Sequence, residues 1–396
     1  MTRLVLILFL LAAACGGGGG GEADLLAAPH VAGELLVLLQ DPDDVDEVEE
    51  LRQDFAALEI TRVGLSSVYR LRFPGGTDLA RLLKELRGDL RVVVGEPNYV
   101  AEAPEGGPAD VATLGSDVID AVAIQPGLGG LQLASAHAVA TGAGVIVAVV
   151  DTGVDADHPL LAGALAGGGF DFVGNDFDPD EERNFTDDDG DGLVDEQFGH
   201  GTFIASLVRV VAPEALVLPV RVLDDEGFGT SSSVAAGIFW AVDAGAHVVN
   251  VSVDITNAPD VVKAALEYAR DRGVVVGAAA GNRGRPDIDF PARLDEAIGV
   301  AAVDGFGARA PFSNAGEKVG LSAPGVGLLG AMPLERNPAG TARWSGTSFA
   351  APLVAGSAAL VRQAFPGLDA EQVEARLRAT ATPLAPALGA GLVQPR

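Results

Sequence analysis

Three short segments, far apart in the chain, carry residues able to do chemistry. They are Val149-Val150-Asp151-Thr152-Gly153, Gly199-His200-Gly201-Thr202 and Ser345-Gly346-Thr347-Ser348-Phe349-Ala350-Ala351-Pro352. An acid, an imidazole and a hydroxyl stand near glycine, in the order Asp, His, Ser. A serine hydroxyl is a weak nucleophile at neutral pH and needs a base within hydrogen-bond reach. Only histidine has an unperturbed side-chain pKa near that range. A buried aspartate fixes the imidazole tautomer and stabilises its protonated form. A Gly-x-Ser tripeptide alone occurs by chance. All three segments in this order point to nucleophilic catalysis by Ser348, with His200 as base and Asp151 as the acid that orients it.

The elements around these residues can position them. Asp151 ends the apolar run Val145 to Val150, which reads as a buried parallel strand. In open α/β sheets, sites gather at the carboxyl ends of strands. Ser348 opens a long helical run, Phe349 to Phe365, with Pro352 in the first turn, where a missing N–H costs nothing. Ser348 therefore stands at a helix N-terminus, whose free N–H groups favour a developing oxyanion. A fourth segment, Ala278 to Gly284, follows the apolar strand Val274 to Gly277 and carries Asn282, an amide suited to donate to that oxyanion. Further strands are expected over Ala215 to Arg221, His247 to Val253 and Ala297 to Val303. Helices are expected over Ser232 to Ala244, Asp260 to Arg272 and Asp369 to Ala379. The last opens with Asp369 and Gln372 in capping-box spacing. Such alternation gives an α/β fold, a mostly parallel sheet flanked by helices.

These motifs resemble those of the subtilisin-like (subtilase) serine proteases, over about Leu131 to Val393. Asp-Thr-Gly-Val-Asp carries the acid Asp151, Gly-His-Gly-Thr the base His200, Gly-Thr-Ser-Phe-Ala-Ala-Pro the nucleophile Ser348, and Ala-Ala-Gly-Asn the oxyanion donor Asn282. Supporting matches include Val211-Ala212-Pro213, Arg221-Val222-Leu223, Phe290-Pro291-Ala292, Phe312-Ser313-Asn314-Ala315-Gly316 and Ala323-Pro324-Gly325. The resemblance implies substrate binding by Gly227, Phe228 and Gly229 along one edge, and by Ser252, Val253, Asp254 and Gly281 around the first specificity pocket. The chain departs from the family at three places. Asp254 stands where the family usually has glycine, Phe203 replaces a common histidine, and Ser206 replaces a common glycine. His158 reads as support rather than catalysis. The closing Gly389-Ala390-Gly391-Leu392-Val393 resembles the family's last segment, so a catalytic domain over 131–396 with no extra C-terminal domain is expected. The competing class is a catalytically silent surface binding protein on the same fold, against which the intact quartet argues.

A smaller domain precedes it, over 31–100. Strands at Glu34 to Gln40, Glu59 to Val63, Ser67 to Phe73 and Arg91 to Val94, with helices at Val45 to Leu58 and Thr77 to Arg87, give the βαββαβ order of a ferredoxin-like α+β unit. In this context it resembles the subtilase propeptide, an intramolecular inhibitor. Its ending Gly95-Glu96-Pro97-Asn98-Tyr99-Val100 is similar to the close of that propeptide. Residues 101–130, rich in Ala, Gly, Pro and acid, read as an exposed linker holding the maturation site, between Val100 and Gln125. A permanent regulatory domain is the other reading of the same unit.

Met1-Thr2-Arg3 is a short basic segment and Leu4 to Leu11 an apolar one too short to span a membrane. Together, 1–14 read as a signal peptide. Ala12-Ala13-Ala14-Cys15 resembles a bacterial lipobox, with Cys15 lipidated and 15–30 a Gly-rich tether. The alternative is an ordinary signal peptide cut after Ala14. Either reading makes the protein exported. The net charge of −29 argues against nucleic acid and against electrostatic docking on anionic lipid, so a membrane would be reached only through the lipid anchor. With one Cys, no intrachain disulfide forms. Upstream of His200, the run Asp187 to Glu196 places carboxylates at alternating positions with Gly192 at the turn, like the first half of an EF-hand loop. Calcium is expected there, on Asp187, Asp189 and Asp191, with the Leu193 carbonyl. Because Phe198 occupies the twelfth position, Asp195 or Glu196 must close the shell.

Overall fold

The computed structural model describes residues 22–64, 66–105, 110–111 and 125–395. The N-terminal unit runs β1 (His30–Leu39), α1 (Val45–Asp54), β2 (Glu59–Arg62), β3 (Val68–Arg72), α2 (Leu79–Arg87) and β4 (Val92–Glu102). The strands pair in the order β4-β1-β3-β2, all antiparallel, which is the expected ferredoxin-like arrangement. Alternation along β1 gives the sheet two faces. Leu35, Val37 and Leu39 pack with Leu51, Leu82, Leu83 and Leu86 in the unit's own core. Leu36 points the other way and joins Val68 and Tyr99 in a cluster shared with the catalytic domain.

Residues Asp110–Val111 form β5. The larger domain then contributes β6 (Ile146–Asp151), β7 (Phe170–Asp171), α3 (His200–Val211), β8 (Leu216–Arg221), β9 (Phe228–Thr230), α4 (Ser231–Asp243), β10 (Val248–Val251), β11 (Asp254–Ile255), α5 (Asp260–Asp271), β12 (Val275–Ala279), β13 (Ile298–Val303), β14 (Val319–Pro324), β15 (Leu328–Ala331), β16 (Thr341–Trp344), α6 (Thr347–Ala364) and α7 (Ala370–Thr380). Seven strands form one parallel sheet, ordered β14-β13-β12-β10-β6-β8-β7. Val147 and Val149 of β6 pack under α3 and α6, while Ala148 and Val150 pack under α4 and α5. The continuous apolar runs of these strands follow from burial on both faces. The carboxyl ends of β6, β10 and β12 lie in adjacent registers, so Asp151, Ser252 and Asn282 emerge on one edge.

The N-terminal unit docks by supplying helix caps. The Glu96 carboxylate accepts from Asp260 N at 2.7 Å and Val261 N at 3.1 Å, at the start of α5. The residue before α5 is Pro259, which offers no capping side chain. Asn98 Oδ1 accepts from Ser232 N at 3.2 Å, in the first turn of α4. Two sets of free helix N–H groups are thus met from another domain.

The structure differs from the expected linker at both of its ends. Ala101 and Glu102 complete β4, and Ala103 to Glu105 enter a cleft of the catalytic domain. Asp110–Val111 pair with β16, and residues Pro126–Leu131 form a short 3-10 helix with Leu128 and Leu131 buried. Composition signalled a loop because this stretch has no local preference of its own. Its hydrogen bonds come from strands distant in sequence. Residues 106–109 and 112–124, which hold much of the expected cut segment, and residues 1–21, which hold Cys15, lie outside the described residues.

Candidate active site

Asp151 is the last residue of β6 and is fully buried. His200 begins α3, also fully buried. Its Nδ1 lies 2.6 Å from Asp151 Oδ1, and Thr152 N donates to the same oxygen at 2.9 Å. The turn that carries His200 is held by Glu181, whose carboxylate accepts from Gly199 N and Thr202 N at 3.0 Å each. Burial foremost pushes the Glu181 carboxyl up to about 7. Gly201 must be glycine, because a Cβ there would stand 2.1 Å from the Gly153 carbonyl oxygen.

Ser348 lies in the first turn of α6, fully buried, and its Oγ has no hydrogen-bond partner. The His200 ring lies 5.3 Å from the ring of Phe349, its immediate neighbour. Ser252 Oγ donates to the Ser348 carbonyl at 3.1 Å. Asn282 is clamped from one side: Thr347 N and Oγ1 reach its Oδ1 at 2.9 and 3.0 Å. That fixes the amide so that Nδ2 faces the cleft. Gly281, at φ +95°, has no room for a Cβ, which would meet Asp289 Oδ2 at 2.1 Å. Asp151 and His200 are thus joined directly, with Ser348, Asn282 and Ser252 assembled beside them.

The cleft is filled by the chain's own tail. Val100, Ala101 and Glu102 pair antiparallel with Thr230, Gly229 and Phe228 of β9, and Glu102 and Ala101 pair with Asp254 and Ile255 of β11. Ala103 N donates to the Gly227 carbonyl at 2.8 Å. Asn282 Nδ2 donates to the Pro104 carbonyl at 3.1 Å. The edge residues Gly227, Phe228 and Gly229 on one side and Asp254 on the other therefore flank one extended segment. Beyond Pro104, the Glu105 carboxylate takes both functional groups at once: Oε2 lies 2.9 Å from His200 Nε2, and Oε1 accepts from Asn282 Nδ2 at 2.9 Å. Gln197 Nε2 holds its backbone carbonyl at 3.1 Å. A Cβ on Gly346 would stand 1.9 Å from Glu105 Oε1, so the carboxylate is seated against backbone. Burial by itself lowers the His200 pKa, but the Asp151 and Glu105 carboxylates outweigh it and push the imidazole up to about 10.

Two departures beside His200 find physical reasons. Phe203 packs its ring 4.8 Å from that of Phe349 and 5.9 Å from that of Trp344. The Ser206 hydroxyl donates to the Phe203 carbonyl at 2.6 Å and accepts from Ala331 N at 2.9 Å. His158 is buried, with its ring bonded to the Gly340 carbonyl and the Leu160 amide, a supporting role.

In the acidic loop, Asp187, Asp189 and Asp191 bring carboxylate oxygens within 4.8 Å of one another. Asp195 and Glu196 are not part of that group. Asp195 is buried and paired with Arg183 at 2.8 Å. Glu196 is buried beside Glu226, and burial first, then that neighbour, pushes its carboxyl up to about 8. The expected closing ligand therefore differs from the observed grouping, because an arginine and a second acid claim these two side chains. Sequence reasoning missed Glu105, Pro104, Glu181 and Arg283. Each acts on groups far away in sequence, so no local spacing signals it.

A parallel sheet with an aspartate–histidine pair, a serine at a helix N-terminus and an amide over a bound carbonyl defines a hydrolase of the serine nucleophile class. The sequence model of the subtilase family, peptidase S8, matches residues 142–392. The chain belongs to the subtilase family and is a subtilisin-family serine protease. It is 38% identical to thermitase of Thermoactinomyces vulgaris over 261 residues, 63% of this chain and 86% of that protein. It is 35% identical to subtilisin DY of Bacillus licheniformis over 267 residues, 64% of this chain and 89% of that protein. Among solved structures, it is similar to fervidolysin of Fervidobacterium pennivorans, described as a keratinolytic enzyme related to subtilisin. The TM-score is 0.75 at 27% identity, covering 92% of this chain and 60% of that one.

Proposed function

We propose that the chain is an exported serine endopeptidase, made as a self-processing zymogen, in which Asp151, His200 and Ser348 form the triad. The observation that carries this reading is the 2.6 Å pair of Asp151 and His200 beside Ser348, with the Asn282 amide on the carbonyl of a strand laid in the cleft. Ser348 Oγ attacks the scissile carbonyl while His200 takes its proton, later giving it to the leaving amine. Asp151 holds the ring and stabilises its charged form. Asn282 Nδ2 and the Ser348 N–H receive the oxyanion. An acyl-enzyme forms and water releases it. In the zymogen, Glu105 occupies both the base and the oxyanion donor, and the self-cut waits until Glu105 leaves His200, since an imidazole ion-paired on both nitrogens cannot accept a proton. Strand pairing along β9 and β11 holds the tail. Cutting within 101–125 and release of the N-terminal unit then open the cleft. Cys15 lipidation would tether the N-terminal unit, and among the described residues no helix is long and apolar enough to cross a membrane.

Calcium on Asp187, Asp189, Asp191 and the Leu193 carbonyl belongs to the same proposal. Three like charges this close repel unless a cation sits among them, and hard oxygen donors suit calcium. Because the loop leads into Gly199-His200, the ion would steady the base. Chelation is expected to lower thermal stability reversibly, and calorimetric titration without millimolar calcium binding would exclude the site.

A fluorophosphonate probe tests the triad. Matured protein should be labelled at Ser348, and His200→Ala should abolish labelling. Equal casein hydrolysis by folded Ser348→Ala would overturn the assignment.

A further inference from the structure

The tail in the cleft carries one charged side chain besides Glu105, and it is met by a built partner. Glu102 is the third residue back from the carbonyl on Asn282, counting Pro104 as the first. Its Oε1 lies 2.6 Å from Arg283 Nη2. Arg283 is held from below by Asp254 Oδ2 at 2.7 Å and by Asp289 Oδ2 at 3.3 Å. Asp254 is almost fully buried, whereas Arg283 and Glu102 are each partly open to solvent. Asp289 is fixed in turn by Asn314 Nδ2 at 2.6 Å and by Arg285.

Asp254 also faces Glu102 directly, as its partner in the β11–β4 register. Like charges opposite one another on paired strands destabilise the pairing. An aspartate on this strand would by itself favour a lysine or arginine on the substrate. Arg283 reverses that sign by standing against both carboxylates. Burial first, then Asp289, pushes the Asp254 carboxyl up to about 7, and Arg283 at 2.7 Å opposes that rise.

We propose that Arg283 is a specificity-determining residue that selects an acidic side chain at the third substrate residue before the cut, counted from the one bearing the scissile carbonyl, and that Asp254 is the positioning residue that aims it. This rests on the protease reading above, since it treats Val100–Pro104 as a substrate-like strand. The aspartate that replaces a glycine in the pocket segment then has a role: it orients a cation over the groove instead of lining the first pocket.

The test uses matured enzyme and quenched-fluorescence peptides of the form Val-Ala-X-Ala followed by an equimolar mixture at the first position, with X as Glu, Gln or Lys. For a partly exposed ion pair, kcat/KM with Glu should exceed that with Lys by about tenfold at low salt, and 1 M salt should shrink the ratio. Arg283→Gln should abolish the preference and turn it toward Lys, because Asp254 is then unopposed. Adding Asp254→Gly to Arg283→Gln should remove the Lys preference. Equal turnover of the Glu and Lys peptides by wild type would overturn the inference while leaving the protease assignment standing. Hydrolysis of neither peptide would overturn the protease reading and this inference with it.

Discussion

At the residue scale, one carboxylate, that of Glu105, holds both His200 and Asn282. Asp151, His200, Ser348 and Asn282 were legible in the sequence because each sits in a short motif whose glycines report close backbone approach, as at Gly201 and Gly281. Glu105 was not legible, since a glutamate among Ala, Gly and Pro has no local signature. Its charge-assisted bonds to His200 and Asn282 are worth about 1.5–3 kcal/mol each in a buried site. Glu105→Gln keeps the shape and removes the charge. We expect maturation to run at least about tenfold faster in this variant, followed by intact mass over time. An unchanged rate would mean that β4 pairing alone holds the tail. Phe203 and Ser206 show the opposite lesson. Both break the family pattern, yet Ser206 satisfies two backbone groups. Ser206→Ala should cost about 1–3 kcal/mol in thermal or denaturant unfolding, because Ala331 N is left unpaired in a dry site.

At the element scale, the strand and helix periods were readable while the partners were not. Five of the seven parallel strands announce themselves as largely apolar runs, whereas β7, only Phe170–Asp171, and β14, broken by Gly320 and Ser322, do not; the capping box at Asp369 and Gln372 forms as its spacing requires. β4 is different. Its length is set by β9 and β11, more than a hundred residues away, so the sequence shows a strand ending near Val94 where the structure carries it to Glu102. The two helix caps delivered by Glu96 and Asn98 have the same origin. Replacing Glu96 by Ala removes both acceptors at the start of α5 and should weaken docking of the N-terminal unit by about 1–2 kcal/mol. Surface-immobilised catalytic domain, titrated with the released N-terminal unit, reads this out as a roughly 5- to 30-fold loss of affinity.

At the scale of the whole molecule, docking links to pH. Burial first, then Asp260, pushes the Glu96 carboxyl up to about 8, and the His200 imidazole rises to about 10 when the tail is bound. Both values are raised. Each contribution is therefore complete below the group's ordinary pKa and is lost as pH climbs through the docked value. The N-terminal unit should loosen progressively from about pH 5 to pH 10, through Glu96 up to about pH 8 and through His200 up to about pH 10. In uncut Ser348→Ala protein, the midpoint of thermal unfolding of that unit should fall across this window, and Glu105→Gln should flatten the fall above pH 8. A midpoint that rises with pH would contradict the assignment of either group.

The central claim is that Ser348 cuts its own chain to free a cleft that the tail fills. Intact-mass spectrometry of wild type and Ser348→Ala, purified side by side, tests it most directly. Wild type should give two polypeptides, divided within 101–125, and Ser348→Ala one uncut chain. The same single mass from both proteins, with wild type fully active on added peptides, would contradict it and make the N-terminal unit a permanent regulator.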